Sequence, residues 1–282
     1  MKNIFVLGAG TMGLDIAWAF ASVGYAVTVR DISREIIDAA CEKMQKKLNK
    51  LVEKGKMTRE SADAMINNIS FTTEMSDAKM ADLVLEAIVE RVDVKKSVFA
   101  ELDGICKPDT IFATNTSSIS ITEIASAVKR TDKFIGMHFF NPADRMKLVE
   151  IIRGVHTSDE TYKKVQELSV SIAKDPVEVA EAPGFVVNRI LVPMINEAIY
   201  VYSEGIASVE DIDKAMCLGA NHPMGPLELA DFIGLDICLA IMDTLYDETH
   251  DSKYRACPLL RKMVRGRKLG RKTGAGFHDY SK

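Results

Sequence analysis

Asn3-Ile-Phe-Val-Leu7, Gly8-Ala-Gly10-Thr11-Met12-Gly13 and Ala26-Val-Thr-Val-Arg-Asp31 decide the fold of this 282-residue chain. A glycine turn stands between an apolar strand and a helical pattern, and an acid closes the following strand. Each element answers one need of a bound dinucleotide. Gly8 permits the tight turn out of the strand, Gly10 lets the backbone approach a pyrophosphate, and Gly13 lets the helix pack close to the sheet. The helix N-terminus offers unpaired N–H groups and a partial positive charge to the phosphates. Asp31 can accept hydrogen bonds from both ribose hydroxyls and would repel a 2′-phosphate, which favours NAD over NADP, although Arg30 and Arg34 flank it. The alternative is an ordinary glycine turn, which would not require a strand before it, a helix after it and an acid beyond.

Outward from this stretch, apolar runs suited to strands recur at 3–7, 26–30, 82–86, 110–114, 134–139, 147–152 and 177–180, mostly separated by helical patterns. The alternation predicts an α/β fold with a doubly wound, mainly parallel Rossmann-type sheet. Residues 34–68 interrupt the rhythm. Ile36, Ile37, Ala40, Met44, Lys47, Leu48 and Leu51 trace a helical stripe that Gly55 ends, and Thr58 opens a second helix, so a helical hairpin is inserted after the second strand. Its lysines, Lys43, Lys46, Lys47, Lys50 and Lys54, form either a solvated face or a cationic wall for a substrate's phosphates. After Pro183-Gly184 the chain reads as almost wholly helical. A long helix with Pro193 inside runs from Phe185 to Glu204, Ser208 caps the next, Pro226 starts a third through Thr244, and Pro258 starts a fourth. The expected domains are 1–183, binding the dinucleotide, and 184–282, a smaller all-α domain. The third helix is apolar on more than one face, and the surplus predicts pairing of two subunits.

The formal net charge of −4 gives no global basic field for nucleic acid or a membrane surface. No run of roughly 18 apolar residues offers a membrane span. The five cysteines, Cys41, Cys106, Cys217, Cys238 and Cys257, form no CxxC pair, so neither a disulfide framework nor a metal site is expected. Free thiols, and a fingerprint strand that starts at residue 3, lead to the expectation of a cytoplasmic protein without a leader.

Several polar residues fall where chemistry is expected. His138, in the strand Phe134-Ile-Gly-Met-His-Phe-Phe140, is either a satisfied core residue or a poised acid/base. Glu150, in Leu148-Val-Glu-Ile-Ile152, is costly there without a partner. Neighbouring strands would bring it to His138, where it would fix the imidazole tautomer. The alternative is a structural ion pair. Asn115-Thr-Ser117-Ser118 follows a strand and so reaches the cofactor edge. There Ser117 can bond a substrate oxygen, while Ser118 or Ser120 caps a helix. Glu90 and Lys95 reach the same edge, or are plain surface charge. Asn188 opens the long helix, where a tolerated polar residue at a domain junction is the alternative.

Together the pieces resemble the 3-hydroxyacyl-CoA dehydrogenase family over nearly the whole chain, above all its bacterial stand-alone members acting on 3-hydroxybutyryl-CoA. The motifs are the glycine fingerprint, Asn115-Thr-Ser-Ser118, Gly136-Met-His-Phe-Phe-Asn-Pro142, Pro183-Gly-Phe-Val-Val-Asn-Arg189, His222-Pro-Met-Gly-Pro226 and Gly270-Arg-Lys-Thr-Gly-Ala-Gly-Phe277. The resemblance implies that His138 is the catalytic base and Glu150 its orienting acid. It implies that Ser117 and Asn188 surround the substrate's 3-oxygen and the nicotinamide. Gly8, Gly10, Thr11, Met12, Gly13, Asp31, Glu90, Lys95, Asn115, Ser117, Asn141 and Lys272 then correspond to NAD contacts, and Lys50 and Lys54 to partners of the CoA phosphates. The implied activity is reversible NAD(H)-dependent interconversion of short (3S)-3-hydroxyacyl-CoA and 3-oxoacyl-CoA, with acetoacetyl-CoA and (S)-3-hydroxybutyryl-CoA as the expected pair, in butyrate or butanol fermentation or in fatty-acid metabolism. A homodimer through the helical domain is implied as well. One rival, an enzyme of free 3-hydroxy or sugar acids, would use a helix lysine near Asn188 and leave His138 and Glu150 without a task. A non-catalytic NAD-binding protein would have no use for the set Ser117, His138, Glu150 and Asn188.

Overall fold

The computed structural model describes residues 1–281. Two compact units form, Met1–Glu181 and Ala182–Lys282. Unit 1 opens with β1 (Asn3–Leu7), α1 (Thr11–Ala21), β2 (Ala26–Arg30), α2 (Arg34–Glu53), α3 (Arg59–Asn67) and β3 (Ile69–Thr72). It continues with β4 (Leu83–Glu86), α4 (Val92–Ile105), β5 (Ile111–Thr114), α5 (Ile121–Ala125), β6 (Phe134–Phe139), β7 (Leu148–Arg153), α6 (Asp159–Ser171) and β8 (Asp175–Ala180). The strands form one eight-stranded sheet in the order β3-β2-β1-β4-β5-β6-β7-β8. Every pairing is parallel except β6 with β7. The order reverses at β1, where the crevice for a ligand opens in sheets of this type.

Central strands are buried on both faces, and Leu83, Val84 and Leu85 are wholly inaccessible. Such strands read as continuous apolar runs, which is why most were visible in the sequence. The exception is β3, a strand the periodicity did not reveal. It is an edge strand of four residues, and none of them is fully buried. The helical pair after β2 is α2 and α3. Ser33 caps α2 by accepting from Ile36 N, and Thr58 caps α3 by accepting from Ser61 N. Ile37, Ala40, Met44 and Leu48 bury one face of α2.

Unit 2 comprises α7 (Val187–Ser203), α8 (Val209–Gly219), α9 (Pro226–Ile233), α10 (Leu235–Thr249) and α11 (Pro258–Arg265). The single helix expected from Pro226 to Thr244 is two helices. Gly234 divides them at φ 106°, a conformation closed to side chains with a Cβ, and Leu235 N turns to Leu269 O. The apolar surplus of that stretch is largely used internally, because Leu227, Ala230, Leu235, Cys238 and Met242 are buried, whereas Phe232 and Ile237 remain exposed. Ser208 caps α8 by accepting from Asp211 N. Asp213, nearly buried, caps α9 from a distance: it accepts from Leu227 N (2.7 Å) and Glu228 N (2.9 Å) and meets His278 Nε2 at 2.8 Å. Among the described residues no helix is long and apolar enough to cross a membrane.

Asp213→Ala removes one acceptor from two amides and from His278 at once. The unfolding free energy measured in urea is expected to fall by about 2 kcal/mol, against about 1 kcal/mol for Ser208→Ala at the simpler, exposed cap.

Candidate active site

The parallel strands deliver their C-terminal ends to one edge of the sheet. Gly8 follows β1, Asp31 follows β2, Glu90 lies beyond β4, Asn115 to Ser118 follow β5, and His138 is the penultimate residue of β6. The glycine turn has the geometry of a dinucleotide cradle. Gly8 has φ 102°, and a Cβ there would lie 2.4 Å from Ala87 O. A Cβ on Gly13 would lie 1.8 Å from Gly8 O, so the helix could not approach the turn with any other residue. No atom lies within 4 Å of the position of a Cβ on Gly10, leaving clear approach to the backbone at the N-terminus of α1. The first N–H groups of a helix have no intrahelical partners and suit phosphate oxygens. Asp31 stands alongside, accepting from Ala9 N and Ile32 N, both at 2.7 Å. These residues fit an NAD moiety.

Behind them lies a buried charge cluster. Lys95, on the first turn of α4, is 1 % exposed, and its Nζ donates to Glu86 Oε1 (2.6 Å) and pairs with Glu90 Oε2 (3.0 Å). Glu86 is wholly buried. Its other donors are Ile88 N (2.7 Å) and Thr114 Oγ1 (2.6 Å), so both of its oxygens are satisfied. Glu90 in turn accepts from Thr116 Oγ1, from Ser117 N (2.9 Å) and from Ser117 Oγ (3.4 Å). Desolvation opposes ionisation of Glu90, but the Lys95 charge and the hydrogen bonds from Thr116 and Ser117 outweigh it and hold the carboxyl below its ordinary value. The sequence reading named Glu90, Lys95 and Ser117 but missed Glu86. The signal was the one used for Glu150: a carboxylate closing the apolar run Leu83-Val-Leu-Glu86 needs a partner.

His138 and Glu150 lie directly opposite each other in the antiparallel register of β6 and β7. Opposed residues in such a pair project to the same face with Cβ atoms about 5 Å apart. His138 Nδ1 and Glu150 Oε2 are 2.8 Å apart, and both residues are buried. An ionised carboxylate only accepts, so the proton of this bond sits on Nδ1. The Phe140 ring, 4.5 Å from the imidazole centroid, covers one side. Asn115 Oδ1 accepts from Phe139 N (2.8 Å), which ties the end of β5 to the end of β6. Asn141 is exposed in the following segment. On α2, Lys50 and Lys54 are exposed and, among the described residues, neither has a carboxylate within 4.0 Å. Unit 2 carries the two remaining candidates. Asn188 is in the first turn of α7, and Lys272 pairs with Asp236 (2.6 Å).

Residues 3–182 match the family model for the NAD binding domain of 3-hydroxyacyl-CoA dehydrogenase, and residues 184–280 match the model for its C-terminal domain. A 3-hydroxybutyryl-CoA dehydrogenase from Clostridioides difficile is 57% identical over 99% of this chain and 100% of its own length. Human mitochondrial hydroxyacyl-coenzyme A dehydrogenase is 41% identical over 99% of this chain and 91% of its own. The crystal structure of an (S)-3-hydroxybutyryl-CoA dehydrogenase from Ralstonia eutropha superposes with a TM-score of 0.97 at 48% identity and covers 100% of both chains.

A depressed folded-state pKa for Glu90 contributes stability that is complete at neutral pH and is lost as pH falls below the ordinary carboxylate value toward the folded one. The difference in Tm between the unmodified protein and Glu90→Gln is therefore expected to narrow as pH is lowered from about 5 to about 3. Thermal melts across that range check it.

Proposed function

The chain belongs to the 3-hydroxyacyl-CoA dehydrogenase family, and on that premise we propose that it interconverts acetoacetyl-CoA and (S)-3-hydroxybutyryl-CoA with NAD(H). The observation that carries the reading is the His138–Glu150 pair, buried and in register at the cofactor edge of the sheet. When bound, NAD(H) would supply or accept the hydride exchanged with C3. Glu150 holds the imidazole by Nδ1, so His138 exchanges its other proton, at Nε2, with the substrate's 3-oxygen. In the reducing direction His138 gives up that proton; in the oxidising direction it removes it. Ser117 supplies a second hydrogen bond to the same oxygen, and Asn188 is assigned to substrate and nicotinamide by its place in the family motif. Gly8, Gly10, Thr11, Met12, Gly13, Asp31, Glu90, Lys95, Asn115, Asn141 and Lys272 are assigned to NAD on the same grounds. For Asp31 the chemistry concurs, since a carboxylate there disfavours a 2′-phosphate.

Lys50 and Lys54 are the proposed partners of the CoA phosphates. In support, among the described residues no carboxylate pairs with either, whereas Lys47 on the same helix is held by Asp15 (2.9 Å) and Asp144 (2.8 Å). We further propose a cytoplasmic homodimer formed through unit 2. The support is apolar surface left open there, including Ile190, Leu218, Phe232 and Ile237.

His138→Ala is expected to lower kcat for acetoacetyl-CoA reduction by at least about 100-fold with NADH affinity nearly intact. A loss below about tenfold would remove His138 from the role of base. Replacing Lys50 and Lys54 together by Ala is expected to raise KM for the thioester while kcat holds; an unchanged KM would separate this helix from CoA. Oxidation of NADH followed by absorbance, with acetoacetyl-CoA and then with free acetoacetate, tests the activity itself. A series of 3-oxoacyl-CoA substrates from C4 to C16 sets the chain length.

A further inference from the structure

Segment 140–147 joins the strand of His138 to the strand of Glu150, and two lysines from distant parts of unit 1 hold it. Lys174, in the turn between α6 and β8, is 6% exposed and donates to Ala143 O (2.7 Å) and Met146 O (2.8 Å). Burial draws its pKa down against the opposing pull of Asp144. Lys47, on α2, bridges Asp144 Oδ2 (2.8 Å) and Asp15 Oδ1 of α1 (2.9 Å), with its ammonium 4.5 Å from the centre of the Trp18 ring. Both carboxylates are largely buried, at 14% side-chain exposure for Asp15 and 10% for Asp144. Within the segment, Arg145 N and Met146 N both donate to Pro142 O at 3.0 Å. The lysines therefore clamp a tight local turn whose two ends lead straight into the paired His138 and Glu150.

We propose that Lys47, acting through Asp144, is a positioning residue for the reaction: it fixes segment 140–147 to α1 and α2 and thereby holds the imidazole and the carboxylate in register. Lys47 thus differs in task from Lys50 and Lys54, although all three lie on one helix. Its charge is spent on two carboxylates inside the protein. Strands set the register of His138 against Glu150 only to the accuracy of backbone pairing. Catalysis needs a finer placement, and a misplacement of about 1 Å can cost up to about 100-fold in rate. A connection held by two ammonium groups supplies that constraint. Removing Lys47 takes away the cation that Asp15 and Asp144 share, so the segment is expected to move away from α1.

The inference rests on His138 and Glu150 being the acid–base pair, and its test has one arm that does not depend on activity. In Lys47→Met, in Asp144→Asn and in the double variant, kcat for acetoacetyl-CoA reduction is expected to fall by about tenfold, with the double variant no worse than either single one. KM for the thioester is expected to stay within about twofold. Lys47→Arg, which keeps the charge, should recover most of the rate. Hydrogen exchange at the Arg145 and Met146 amides should quicken by at least about tenfold in both single variants. A raised KM with unchanged kcat in Lys47→Met would make Lys47 a ligand of the substrate and overturn the proposal. Additive losses in the double variant, or exchange rates that do not change, would overturn it as well. Should His138→Ala retain its rate, the acid–base reading fails. Exchange at residues 145 and 146 would then still report whether the clamp exists.

Discussion

The change of strand direction between β6 and β7 is the constraint on which the proposed chemistry depends. β7 and β8 run against the other six strands, and the dinucleotide crevice, which needs only β1, β2 and β4, does not require that change of direction. With β7 parallel to β6, however, its N-terminal half would lie at the far edge of the sheet, and Glu150 with it. Run antiparallel, the third residue of β7 falls opposite the fifth residue of β6, and Glu150 meets His138 at the edge that holds the glycine turn. The pairing settles the otherwise unfavourable burial of both groups. A buried carboxylate left without its partner costs several kcal/mol, so each member of the pair makes the other tolerable.

The second charged cluster obeys the same economy in a different form. Two carboxylates, Glu86 and Glu90, share one buried ammonium, that of Lys95. Glu86 is inaccessible and fully hydrogen-bonded, whereas the Glu90 side chain is 39% exposed. The excess negative charge therefore resides on the member that water reaches. That arrangement leaves Glu90 ionised and anchored from behind while it holds the backbone and hydroxyl of Ser117. The loop after β5 is thus positioned by electrostatics rooted in β4 and α4, and not by apolar packing alone.

What the sequence disclosed, and what it concealed, follows from where each constraint acts. The glycine fingerprint was legible because Gly8 and Gly13 answer clashes with atoms of the same turn or of the adjoining strand end. The central strands were legible because burial on both faces forces apolar runs. Edge strand β3 was not, since Ile69-Ser-Phe-Thr72 is only half covered and its alternation is too short to stand out. The break at Gly234 was hidden within a continuous apolar pattern, because it is set by a backbone conformation and by an amide that turns to Leu269 O, far along the chain. Glu150 was recognised from its apolar neighbours in mid-strand. Glu86 was not singled out, because it stands at the end of its strand, where a carboxylate ordinarily meets solvent.

The lysines of α2 show most clearly where composition stops informing and geometry begins. Lys43, Lys47, Lys50 and Lys54 recur at spacings that place them on one stripe of the helix. As sequence they are equivalent. In the fold they diverge along that stripe: Lys43 donates to Thr11 Oγ1 (3.2 Å) beside the glycine turn, Lys47 is held between Asp15 and Asp144, and Lys50 and Lys54 continue without carboxylate partners among the described residues. One helical face thus passes from the fingerprint, through the segment that joins His138 to Glu150, to cations still able to take an external anion. Free charge at one end and committed charge in the middle is the pattern expected of an element that must both bind a phosphorylated carrier and stay fixed to the catalytic strands. A merely solvated face would require no such division, since none of its lysines would need a buried partner.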